Sequence, residues 1–481
     1  MLKKYGSDAY ERIQAHSLLI GWLGAVLMTV AALASNLTGG PLYNLNDMHT
    51  WQNRIIFTGM ATFMHFSLMV ILVLDSHKDI GHLLVRELIV TASLMILFLA
   101  MNQKTFAYNS QIQPIVRAMD TRALSAIPDF RSGHSVPALT LYYLLTRGPI
   151  YDMYLAKLFC IGCYELLCIS AAHIVRELPE LARRNKWLSE CAMALALILP
   201  QGFLSAACAA QIEVAGILLA VLAFIYLERG KKTGLVLFGA GASICTGLWL
   251  LVPIAVLYVE KWKLKVSDIV IPIAAALVCC VPGAITGSGW EAFFSLFACL
   301  KEIPIAGSGV PALVSFFPRA VLEEIPEYAY LRAVPELDLM TFAAENYKAS
   351  HYEILMHGVS FACLAVYMGM TAYVIREKRK EPVTCILSLI LVAFVCAPCL
   401  TMGAWQLITV LCMFILVYVP ELRIPGGVML FVTAGGCGYP VTGEIMIKPV
   451  YIALLSLIAI GMLLGFWPGK GKKNGIQERV C

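Results

Sequence analysis

Charge is what this 481-residue sequence has least of: Asp, Glu, Lys and Arg together supply 14% of it, and hydrophobic residues 59%. Soluble globular domains carry about 25% charged residues, so the shortage excludes a sizeable soluble domain. Nucleic acid is excluded as a partner as well. The net charge is only +5, and the basic residues sit in short loops between apolar runs instead of forming one patch. A cleavable leader pattern is also missing. The first apolar run begins near Ser17 without a small-residue cleavage site behind it, and reads as a retained span. No internal repeat is visible, and positions in the middle of the apolar runs are nearly free of charge, which disfavours ion-coupled transport. The 16 cysteines do not outline a metal or disulfide framework. Most lie inside apolar runs, where Cys behaves as a small apolar side chain. The pairs Cys160/Cys163 and Cys396/Cys399 lack His or polar support.

What is present is a succession of apolar runs, many of about 17–25 residues, the length that crosses a bilayer as helix. The expectation is an all-α, polytopic membrane protein of about 12–14 transmembrane helices, with two external loops carrying interfacial helices. Spans are expected near 18–35, 55–74, 83–101, 153–175, 187–200, 213–228, 233–246, 248–259, 269–286, 353–375, 383–400, 405–420, 424–437 and 449–467. The pair 233–259 reads as a short hairpin or as one long broken helix.

Lys and Arg crowd into "ERGKK", "KWKLK" and "REKRKE", the short loops in which the positive-inside rule is most reliable. They place both termini in the cytoplasm of a multi-pass plasma-membrane protein. A bacterial membrane is expected, since no eukaryotic targeting feature is seen. Two long segments then face outward, 102–152 and 287–352. Each holds apolar residues at helical spacing. "ALTLYYLL" (138–145) forms a short helix lying flat outside, and "WEAFFSLFACL" (290–300) brings Trp290, Phe293, Phe294 and Phe297 to one face. The chain divides into two N-terminal spans (1–80), a core (81–286), the second external loop (287–352) and C-terminal spans (353–481).

The stretch "SAACAAQIEVAGILLA" (205–220) interrupts an apolar run with Gln211 and Glu213. A carboxylate at bilayer depth is costly and is usually paired, interfacial or functional. After Pro200, these two residues fall at the outer mouth of the next span, where 102–152, 200–213 and 287–352 converge on one face.

This order of features resembles the GT-C superfamily of integral-membrane glycosyltransferases. The resemblance runs from about 83 to 286. It rests on the span "ELIVTASLMILFLA", a long external loop ending in "SVPALTLYYLLTRG", the small-faced span "AKLFCIGCYELLCISAAHIVREL", the Pro-led "LPQGFLSAACAAQIEVAGILLAVLAFIYLERGKK", and the pair "TGLVLFGAGASICTGLWLLVPIAVLYVEKWK". It implies transfer of a sugar from a polyprenyl-phosphate donor to a glycan, lipid or protein acceptor of the cell envelope, on the outer face. Mg or Mn is the only cofactor it brings in. The sequence departs from the family in two places. Asn109 and Ser110, in "FAYNSQIQ", stand where the family has an acid, and "LTMGAWQLI" lacks the charges of the late family segment.

Transfer from a lipid phosphate requires a base to deprotonate the acceptor hydroxyl and cationic groups to hold the phosphate leaving group. Asp129, Asp120 and Glu213 are the candidate bases. Arg117, Arg122, Arg131 and Arg319 are external against the charge bias, and their forked guanidinium groups suit phosphate. His134, in "RSGHSVP", Gln211 and Asn109 complete the candidate substrate-binding set. Each has an ordinary alternative: an exposed loop acid, a lipid-headgroup contact or a turn residue. Two rival functions stand beside the transferase, a lipid-linked glycan transporter or flippase and a catalytically inactive scaffold on the same fold.

Overall fold

The computed structural model describes residues 105, 107–130, 134–147, 152–177, 208–255, 259 and 262–297, most of 406–418 and 423–436, and short pieces of 192–206, 361–372 and 451–458. Among the described residues the chain is helical and contains no strand. The eight longer helices are α1 (Gln113–Arg122), α2 (Val136–Thr146), α3 (Asp152–Glu177), α4 (Glu213–Glu228), α5 (Thr233–Ile244), α6 (Val270–Gly283), α7 (Gln406–Tyr418) and α8 (Arg423–Gly436). The expected spans before residue 80, the external segment beyond 297 and the basic C-terminus lie outside the described residues.

The helix bounds follow from local chemistry. Pro114 opens α1, and Ala123 ends it in a left-handed conformation (φ 54°). Ser135 caps α2 from an extended conformation, its hydroxyl accepting from the Ala138 amide at 3.3 Å, with Pro137 in the first turn. The same hydroxyl donates to the Ile244 carbonyl at the end of α5 (3.3 Å). The 233–259 segment is broken: α5 stops at Cys245 and a 3-10 turn follows over Thr246–Leu251.

Packing is sequential. α4 lies on α3 and α5, and α5 also packs on α6. α2 bridges α1, α3, α5 and α6, while α7 packs on α3, α4 and α8. Glycine permits the closest approaches. A Cβ at Gly216 would lie 2.6 Å from the Gly241 carbonyl oxygen, and a Cβ at Gly241 would lie 2.5 Å from that of Gly216. Close approach through small residues is how helices pack when no water-driven force separates polar from apolar faces.

The continuous helical stretch Val266–Thr286 has 21 residues and a mean hydropathy of 2.3. At 1.5 Å per residue it is about 32 Å long, matched to a hydrocarbon core of about 30 Å. Within Val270–Gly283 the buried stripe is narrow and made of small residues, Pro272, Ala276, Cys280 and Gly283. Val270, Ile273, Leu277, Val278, Val281 and Ile285 are exposed. Most of this face is thus uncovered in the structure. Beyond it, Trp290 is 79% exposed on the short helical turn that includes Glu291–Phe294. Among the described residues this is the one helix long and apolar enough to cross a membrane. Of the other spans expected from sequence, 153–175, 213–228, 233–246, 248–259, 405–420 and 424–437 also fall largely on described residues, and among those residues none of the helices there meets that test of length and hydropathy.

Candidate functional site

Glu213 opens α4, and the strained turn before it determines where its side chain goes. Ala210 holds a φ of 55°, a left-handed conformation that costs an L-residue roughly 1–2 kcal/mol. Tyr142 of α2 braces this turn from the side. Its hydroxyl donates to the Ala210 carbonyl at 2.9 Å and accepts from the Ile212 amide at 3.4 Å. The bracing joins residues about 70 positions apart, so sequence proximity gives no sign of it. Gln211 is buried in the same turn.

The Glu213 carboxylate is 6% exposed. One oxygen lies 3.8 Å from Nδ1 of His134, and the other has no hydrogen-bond partner among the described residues. A buried, unmatched polar atom costs about 1–3 kcal/mol, more when charged, so Oε2 keeps its full capacity to accept a hydrogen bond or a proton. His134 precedes the Ser135 cap and meets the Tyr142 ring edge-on, with ring centroids 6.2 Å apart. Burial pushes the imidazole below its ordinary value of 6.5, and the nearby Glu213 charge only partly opposes this. His134 is thus neutral at neutral pH. Burial also raises the Tyr142 phenol well above its usual range, with Glu213 the next cause, so Tyr142 remains a neutral brace.

A buried cation sits on the adjoining helix α3. Lys157, on α3, is fully buried, and its ammonium sits 4.9 Å from the centroid of the Tyr108 ring. Tyr108 is on the single π-helical turn Tyr108–Ile112 ahead of α1. Cys160, one turn along α3 from Lys157, feels the Glu213 charge, and Cys208 feels that of Lys157. Carboxylate, imidazole and phenol are therefore gathered from His134, α2 and the start of α4, while the Lys157 ammonium, on the adjoining α3, pairs with the Tyr108 ring.

Of the candidates named from sequence, the structure brings Glu213, His134 and Gln211 into the buried region where α2, α3 and α4 meet. Asn109, Asp120, Arg117 and Arg122 are exposed on the 108–122 segment. The Asp129 side chain, Arg131 and Arg319 lie outside the described residues. Sequence reasoning did not single out Lys157 or Tyr142. A lone Lys near the end of an apolar run has the pattern of a side chain reaching for the surface, and Tyr142 belongs to an aromatic pair already explained as helix surface. Among the described residues no group of three or more His, Cys, Asp or Glu could hold a metal ion. The Mg or Mn expectation therefore turns on residues elsewhere.

Two results follow from this geometry. Tyr142→Phe removes both bonds to the 210–212 turn and should cost about 1–3 kcal/mol in thermal unfolding. Adding Ala210→Gly, which relaxes the left-handed residue, should recover part of that loss. Stability should also fall as pH drops below 6.5 towards the lower folded value of His134. In that window the unfolded imidazole takes a proton and the folded one does not, so unfolding gains protons. Melting temperatures at pH 7.5 and 5.5 for wild type and His134→Asn check this, and the variant should show the smaller drop.

No protein-family model matches the chain, and no curated protein or solved structure matches it either. The functional reading therefore rests on the residues themselves.

Proposed function

We propose that this protein is a polytopic membrane glycosyltransferase of the GT-C type, moving a sugar from a polyprenyl-phosphate donor to a cell-envelope acceptor on the outer face of the plasma membrane. The observation that supports it best is the buried Glu213 carboxylate, with one oxygen towards neutral His134 and the other unpartnered among the described residues. In this reading Glu213 is the general base, ahead of Asp120 and Asp129. Oε2 accepts the proton of the acceptor hydroxyl. The hydroxyl oxygen forms its bond to the anomeric carbon as the bond from that carbon to the phosphate oxygen breaks. Polyprenyl phosphate leaves with the electron pair. Glu213 then gives the proton up to solvent as the product leaves, which resets the base. Lys157, on the adjoining α3, supplies positive charge as negative charge grows on the leaving group. In this reading the acid comes from α4, and the exposed Asn109 is not the catalytic position. The apolar exposed face of Val266–Thr286, with Trp290 beyond its end, supports the membrane setting.

The test is transfer by the purified full-length protein in nanodiscs, using radiolabelled polyprenyl-phosphate sugars and envelope lipid or glycan acceptors, with and without Mg or Mn. Label appearing in acceptor or as free sugar, and lost in Glu213→Gln, is the expected outcome. No turnover by the wild type with any donor would overturn the transferase reading and leave a carrier or an inactive scaffold.

A further inference from the structure

Gln406 is the first residue of α7 and is 1% exposed. Among the described residues, neither its amide nitrogen nor its amide oxygen has a hydrogen-bond partner. α7 packs against α3 and α4, the two helices that carry Lys157 and Glu213. Leaving both ends of a buried amide unmatched is costly, and an apolar residue of similar size would avoid that cost. Its chemistry is also specific. Oε1 only accepts and Nε2 only donates, so the full complement is a group that does both. A phosphate or a carboxylate would fill Nε2 and leave Oε1 empty. A metal ion would do the reverse. Adjacent hydroxyls on a sugar ring satisfy both ends, one donating to Oε1 and its neighbour accepting from Nε2.

We infer that Gln406 reads a hydroxyl pair of the sugar, and so is a specificity-determining residue contributed by the C-terminal part of the chain. The inference rests on the transferase reading for the identity of the sugar carrier, and deepens it by assigning the neutral, polyhydroxylated half of the donor to α7. A site built to hydrogen-bond a hydroxyl rejects analogues that lack it far more strongly than an apolar pocket does.

The experiment uses full-length protein in nanodiscs and the variants Gln406→Met and Gln406→Leu. Without ligand, both variants should melt at or above the wild-type temperature, since no internal bond is lost. Wild type should bind polyprenyl-phosphate sugar more tightly than bare polyprenyl phosphate. The variants should lose about 10- to 100-fold of that preference while binding the bare lipid as before. Deoxy sugars identify the hydroxyls, because removing the hydroxyl that Gln406 reads should weaken wild type but not the variants. A wild type with no preference for the sugar-bearing lipid would overturn the inference. So would variants that fold poorly or discriminate as wild type does. If the binding preference depends on Gln406 and yet no donor is turned over, the transferase reading fails and the sugar-reading residue stands.

Discussion

Glu213→Gln should lower the rate of sugar transfer by about 10²- to 10⁴-fold, the range a positioned general base contributes, while the protein stays as stable as wild type or becomes more so. The amide has the shape of the carboxylate, so packing at the start of α4 is kept. It cannot take up a proton at neutral pH. It also removes a charge that is 6% exposed and whose second oxygen makes no hydrogen bond among the described residues. Burying a charge without full pairing is costly, and the neutral amide avoids that. A carboxylate retained only to hold His134 in place would give the opposite pattern, a lower melting temperature with mostly intact turnover. Melting curves and initial rates on the same preparations therefore separate a chemical from a structural role. Asp120→Asn serves as the matched control. Its side chain is exposed on α1, and the exchange should leave both quantities close to wild type.

Helix placement was legible in the sequence to a degree that the site was not. Continuous apolar runs bounded by polar loops predict helices over 213–228, 153–175, 405–420 and 424–437. The helices run over Glu213–Glu228, Asp152–Glu177, Gln406–Tyr418 and Arg423–Gly436. Such bounds are local: a Pro, a basic turn or an acid at the first turn sets them. For 233–259 the sequence allows a short hairpin or one long broken helix, and the chain leaves helical geometry at Cys245 (ψ 90°) before the 3-10 turn.

Choosing among Asp120, Asp129 and Glu213 was a different problem. In the sequence all three are acids in loops. Glu213 is distinguished by burial against His134, 79 positions earlier in the chain, and by the Tyr142 brace on Ala210 and Ile212. No periodicity encodes such contacts. Lys157 and Gln406 were hidden for the same reason. Each is a polar residue beside a long apolar run, and only tertiary packing shows that it is enclosed.

The second large effect concerns the crossing of α4 and α5, and it connects the fold to the site. Gly216→Ala and Gly241→Ala should each destabilise the protein by about 1–3 kcal/mol, the usual cost of overpacking. A methyl group on either glycine meets the backbone carbonyl of the other, and backbone cannot rotate aside as a side chain can. At Gly216 it also meets the Cβ of Cys245 at 2.8 Å. The helices must separate, and Gly216 is one turn from Glu213, so the carboxylate moves with the backbone. Transfer should therefore fall in both variants although neither position touches His134 or Lys157. The double variant should cost less than the two single changes added together. Both methyl groups press on one crossing, and helices already parted by the first accommodate the second more easily. Gly162→Ala on α3 is the internal control. A Cβ added at Gly162 would meet nothing within 4 Å, so the exchange should be neutral or stabilising by roughly 0.5–1 kcal/mol, the helix-interior gain of Ala over Gly. Equal losses at positions 162, 216 and 241 would mean that glycine flexibility, and not close backbone approach, is what the bundle needs. Losses confined to 216 and 241, less than additive when combined, would identify the α4–α5 crossing as the element that sets the position of Glu213.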